Sequence, residues 1–200
     1  MAASYNNIGV IYGNIGDYDK ALEFHRKVLD IRLKVLGKEH PDVALSYNNI
    51  GTINNNIGNY DKALEAHRKA LDIRLNILGE KHPVVAISYN NIGEIYDQKK
   101  DSNKAVEYFE NAFRSLDRIK LVYTSVESKQ FHLSENYLIF ENAIKSRQEA
   151  ALTNPNQFDL RQTFIYAEKG KSNLLLGAFN KTRAESFAGI SDSLLEKEHA

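Results

Sequence analysis

Residues 47–88 read YNNIGTINNNIGNYDKALEAHRKALDIRLNILGEKHPVVAIS, and residues 5–46 align on them without a gap, with 30 of 42 positions identical. A tandem repeat of this length governs the fold more strongly than any single motif inside it. A third copy starts at Tyr89 and fades beyond Ala112, with Lys100 and Ser102 where the earlier copies have Gly16 and Tyr18, or Gly58 and Tyr60. The string SYNNIG marks the register, recurring at residues 4–9, 46–51 and 88–93.

Each unit reads as two helices. Tyr47, Ile50, Ile53 and Ile57 recur at steps of three and four, which sets them on one helical stripe. Pro41 and Pro83 suit a first helical position, where no amide hydrogen is needed. Gly16 and Gly58 suit a left-handed C-terminal cap, and Asp17, Asn59 and Asp101 stand where the second helix needs an N-cap acceptor. That second helix is expected from about Tyr60 to Leu78, closed by Gly79, as Gly37 closes its counterpart. A hairpin of this kind cannot bury both its stripes alone, so the fold class is all-α, with hairpins stacked into a solenoid.

Composition removes several functions. Lys plus Arg equals Asp plus Glu at 26 each, so no net field attracts nucleic acid or anionic lipid. The absence of cysteine excludes disulfides, thiolate metal sites and a cysteine nucleophile within these residues, and a reducing cytoplasm is the expected setting. His25, His67, His40 and His82 pair only because the unit is duplicated. With no two-ligand helix spacing, they read as packing or loop-capping residues rather than metal ligands. Gly9, Gly13 and Gly16 lie in a helix without a preceding strand, unlike a phosphate loop. No cofactor, metal or catalytic residue is expected, so the chain does not read as an enzyme.

Counted from Ala2, the pattern of Tyr5, Ile8, Gly9, Tyr12, Ala21 and Val28, repeated by Tyr47, Ile50, Gly51, Ala63 and Ala70, resembles the tetratricopeptide signature. Small Gly and Ala residues let helices approach closely there, while large ones fill the neighbouring groove. The 42-residue unit, with its longer second helix and the loop LGKEHPDVA, is similar to the repeats of kinesin light chains and of many bacterial multi-repeat proteins. The resemblance implies a right-handed superhelix whose first helices line a concave groove that takes a peptide or protein partner. Carried over residue by residue, it puts Asn6, Val10 and Asn14 in the groove from the first unit, Asn48, Thr52 and Asn56 from the second, and Asn90, Glu94 and Gln98 from the third. The first Asn of each pair would bond a peptide backbone, since an amide both donates and accepts. The second, at Asn7, Asn49 and Asn91, would point toward the next repeat. Asn6 with Val10 departs from the carboxylate clamp of the chaperone-binding members.

The domain reading is three units over residues 1–118 (5–46, 47–88 and 89–118), a degenerate long helical hairpin over 119–181, and a linker or helix start over 182–200. A helix of nearly 30 residues is expected from a capping box at Thr124 and Glu127 to Ala151, then the break TNPNQ, then a helix over about 158–180. Residues 166–198 resemble the junction that joins tetratricopeptide arrays to bacterial CHAT domains, which are caspase-like. This implies the sensing or regulatory arm of a larger effector, cut before that effector. The expected function is thus a peptide-binding or protein-binding scaffold, without nucleic-acid or membrane partners. The alternatives are a module that self-associates through exposed repeat ends and a cargo adaptor like kinesin light chain.

Overall fold

The computed structural model describes residues 1–119 and 137–153. Among the described residues there are seven helices and no strands: α1 Ala2–Asn14, α2 Tyr18–Leu36, α3 Pro41–Asn56, α4 Tyr60–Leu78, α5 Pro83–Gln98, α6 Ser102–Ile119 and α7 Tyr137–Thr153. The first six form three successive antiparallel hairpins, each packed on the next, and α7 lies against α6 and α5.

Turn chemistry sets the hairpins. Gly16 and Gly58 have φ of +81° and +77°, and Gly37 and Gly79, which close the second helices, have φ of +83° and +73°. A side chain in this left-handed region costs about 1–2 kcal/mol, and Lys100 bears that cost at φ 61° in the third hairpin. Asp17 and Asp101 accept from the amides of Lys20 and Lys104, three residues on. Asn59 departs from the expectation, because its side chain makes no capping bond. Pro41 and Pro83 open α3 and α5, and the imidazoles of His40 and His82 cap them, Nδ1 accepting from the amides of Asp42 and Val84.

Packing follows the small-residue positions. Ala21, Ala63 and Ala105 are fully buried at the hairpin contacts. One core joins Ala21 and Leu22 to Ile50, Ile53 and Ala66 across the first junction. Another joins Leu64, Leu71, Val85, Ile92, Ile95 and Phe109 across the second and extends to Ala143 of α7. Each glycine of SYNNIG is a contact point. A Cβ on Gly9 would lie 2.9 Å from the His25 ring, on Gly51 2.7 Å from His67, and on Gly93 2.7 Å from Phe109.

Helix α7 overlaps the second half of the long helix expected over 124–151 and runs on to Thr153, the first residue of the expected break. The rest of that helix, the helix over 158–180 and the segment 182–200 lie outside the described residues.

Candidate functional site

On α3, Leu45, Asn48, Asn49, Thr52 and Asn56 are separated by steps of one, three and four and so share one face. The same face on α1 carries Asn6, Asn7, Val10 and Asn14, and on α5 it carries Ile87, Asn90, Asn91, Glu94 and Gln98. Val10, Asn14, Thr52, Asn56 and Gln98 are exposed, Asn6, Asn48 and Glu94 are half-buried, and Asn90 is buried. All nine residues assigned to a groove from the sequence therefore lie on the equivalent face of three successive odd-numbered helices.

The asparagines bond one another across the junctions. Asn49 Nδ2 donates to Asn6 Oδ1 at 3.1 Å, and Asn91 Nδ2 donates to Asn48 Oδ1 at 3.1 Å. A third rung has the same form, with Asn142 Nδ2 of α7 donating to Asn90 Oδ1 at 3.0 Å. Asn49 and Asn91 thus reach back to the preceding repeat rather than on to the next, and Asn7 makes no such bond among the described residues. Periodicity fixes the face a side chain occupies; which neighbour that face meets depends on how hairpins stack.

The acceptor side of the first Asn is consequently occupied. Asn48 Oδ1 also receives Arg74 Nη1 at 3.4 Å, so these residues are not the bare, solvated amides that groove exposure alone suggests. Among the described residues, the Nδ2 groups of Asn6 and Asn48 have no hydrogen-bond acceptor, whereas Asn90 Nδ2 donates to Glu94 Oε1 at 2.8 Å. The inter-repeat bonds therefore fix two amides whose donors are unused among the described residues, and a carboxylate stands at the third rung.

The serine of SYNNIG belongs to the same clasp. Arg32 Nη1 donates to Ser46 Oγ at 2.8 Å and to the Asp42 carbonyl at 3.0 Å. Arg74 Nη1 donates to Ser88 Oγ at 2.6 Å, and each serine donates back to the carbonyl four residues earlier. Arg32 has the Asp42 carboxylate 3.9 Å away. Val84 stands in the next unit where Asp42 stands in this one, and burial lowers the Arg74 pKa.

His25 and His67 lie buried beneath this face with Nδ1 unbonded. Burial pushes the His67 imidazole down to about 4, and the nearby Arg74 adds to the shift. His25 is lowered by the same two causes, burial first and then Arg32. A neutral ring wedged against a glycine is a packing element. Among the described residues no group of three or more His, Cys, Asp or Glu could hold a metal.

Three features of the face escaped the sequence. Arg74 sits on α4, and nothing in its spacing points to Asn48. Asn142 follows Asn91 by 51 residues rather than 42, which hides it from any repeat alignment. Leu45, Ile87 and Leu138 form an exposed aliphatic row beside the amides. Its first two members were visible as an apolar residue three before each first Asn.

A family model described as tetratricopeptide repeat matches residues 1–75 and again 42–118. Among solved structures, BtubC (BKLC) from P. vanneervenii is 22% identical with a TM-score of 0.72, over 90% of this chain and 64% of that one. The apo form of RapI is 18% identical with a TM-score of 0.64, over 94% of this chain and 58% of that one. A Podosopora anserina putative kinesin light chain with nearly identical TPR-like repeats is 17% identical with a TM-score of 0.52, over 94% and 97%. At these identities the likeness is one of fold, and the chain spans about three fifths of the first two proteins. No curated protein matches it.

Proposed function

The chain belongs to the tetratricopeptide repeat family, and from that premise we propose that it is a binding scaffold that takes an extended peptide along the amide face of α1, α3 and α5. The lining is Asn6, Val10, Asn14, Asn48, Thr52, Asn56, Asn90, Glu94 and Gln98. The observation that carries this reading is that the Oδ1 atoms of Asn6 and Asn48 are bonded to the next repeat while, among the described residues, their Nδ2 groups have no acceptor. Donors fixed at repeat spacing suit the carbonyls of an extended backbone whatever its side chains. Each such bond contributes about 0.5–1.5 kcal/mol net. Asn48→Ala should therefore weaken peptide binding roughly three- to tenfold, and replacing Asn6, Asn48 and Asn90 together should nearly abolish it. Unchanged affinity in the triple variant, measured by calorimetry, would overturn the assignment.

The proposal includes a setting. The resemblance of residues 166–198 to CHAT junctions supports a cytoplasmic regulatory arm of a larger bacterial effector. A Cys and His pair encoded beyond Ala200 is the expected result of reading the parent gene, and its absence would remove that setting while leaving the scaffold.

A second reading, self-association through the repeat end, rests on one observation. Ile11 is 59% exposed, whereas its counterparts Ile53 and Ile95 are 6% and 0% exposed against a preceding hairpin. Sedimentation tests it: Ile11→Glu should abolish any concentration-dependent mass, and a monomer at all concentrations would reject it. Among the described residues no helix is long and apolar enough to cross a membrane.

A further inference from the structure

Glu94 takes the place held by Val10 and Thr52 in the first two units. Both of its amide contacts fall on one oxygen, with Oε1 accepting from Asn90 Nδ2 at 2.8 Å and from Asn142 Nδ2 at 3.2 Å. Among the described residues no Lys or Arg forms an ion pair with it. Lys145, its counterpart on α7, lies 4.0 Å from Glu149 instead. Among the described residues no donor reaches Oε2, and the half-buried carboxylate is supported by neutral amides. Such a group gains most from a charge-assisted bond with a cation.

On the other side of the amide rungs runs the aliphatic row. Leu45 is 39% exposed, Ile87 43% and Leu138 55%, one on each of three successive odd-numbered helices. Row and carboxylate flank the same line of amides, because Ile87, Asn90 and Glu94 follow one another along one face of α5. A chain lying along the rungs in extended form sends successive side chains to opposite sides. One side then meets Leu45, Ile87 and Leu138, and the other meets Glu94.

We propose that the groove selects an extended peptide in which a Lys or Arg that pairs with Glu94 Oε2 is adjacent in sequence to an aliphatic residue seated on the Leu45, Ile87 and Leu138 row. This rests on the amide face being the peptide site, and it adds the side chains the site reads. The aliphatic residues stand at even spacings, since only every second side chain of an extended chain points to one side.

The test is a positional-scanning library of acetylated, amidated decapeptides, with the best sequences resynthesised for fluorescence titration against the full chain. Selected peptides should carry Lys or Arg next to Leu, Ile or Val. Glu94→Gln is the decisive variant, because an amide oxygen still accepts from Asn90 and Asn142 while the charge is removed. It should weaken basic peptides about three- to tenfold and should leave their Lys→norleucine forms unchanged. Ile87→Ser should weaken both forms about tenfold. A library that selects acidic residues, or none, overturns the proposal, as does equal binding of basic peptides to wild type and Glu94→Gln. If Asn48→Ala still weakens the selected peptides while Glu94→Gln and Ile87→Ser do not, only the side-chain preference fails. If Asn48→Ala has no effect, the amide site itself fails.

Discussion

The second and third hairpins put different rings into one slot. Beneath Gly51 lies His67, and beneath Gly93 lies Phe109, and in both a Cβ on the glycine would come within 2.7 Å of the ring. The turns differ as well, since Gly58 takes its left-handed φ freely and Lys100 does so at a cost. A flat ring of roughly equal size closes both hairpins, so the fold demands shape at this position and tolerates polarity. The imidazole carries a liability that the phenyl lacks, because it must stay neutral to remain buried.

That liability gives the largest expected effect. His67 is held at about 4, against an ordinary value near 6.5. The unfolded chain takes up the proton first, so the contribution is complete above pH 6.5 and is lost as pH falls toward 4. The loss is roughly 3 kcal/mol in all. In denaturant titrations at pH 7 and pH 4.5, His67→Phe should remove most of that dependence and make the second hairpin behave like the third. Parallel pH profiles for the two proteins would show that the ring is not buried neutral.

Glycine substitution tests the shared feature. Gly51→Ala and Gly93→Ala should each cost about 1–3 kcal/mol by overpacking, with melting temperatures lowered in both. A harmless Ala at either site would mean that the two slots are not equivalent.

The clasp between repeats is the next effect down. Asn49→Ala removes the donor to Asn6 and should cost about 1 kcal/mol. Asn7, its exposed counterpart on α1, bonds no other described residue, and Asn7→Ala should stay within about 0.5 kcal/mol. Equal losses at the two sites would remove the distinction between a paired and an unpaired rung. Smallest is the turn: Lys100→Gly should gain about 0.5–1 kcal/mol, the relief of a left-handed residue less the entropy of a new glycine. No gain on thermal melting would mean that the third turn is not strained relative to the first two.

How far the sequence reached can be judged at individual residues. The 42-residue period, Pro41 and Pro83 at helix starts, and Gly16, Gly58, Gly37 and Gly79 at left-handed turns are local signals, and local signals survive in one sequence. Asn59 failed as a cap because its side chain makes no bond to the helix amides, while Asp17 in the identical turn does. The SYNNIG string was legible as a repeat mark but not as a mechanism. Its serine answers Arg32 or Arg74 from the hairpin before, its second Asn answers the first Asn of that hairpin, and its glycine admits a ring. Those partners lie 14 and 43 residues away at the first two of these contacts, distances that helical periodicity does not address. Asn142 was further out of reach, since only the packed position of α7 reveals it as a donor equivalent to Asn91.

We propose that the first asparagine serves two ends at once, its oxygen holding the repeats together and its amide nitrogen meeting the ligand. Asn48→Asp separates the two, because a carboxylate still accepts from Asn91 and Arg74 but presents an acceptor where the Nδ2 donor stood. Paired thermal melting and titration with a library-selected decapeptide should give an unchanged or higher melting temperature and at least roughly tenfold weaker binding. Full peptide affinity in this variant, with the fold intact, would contradict the claim.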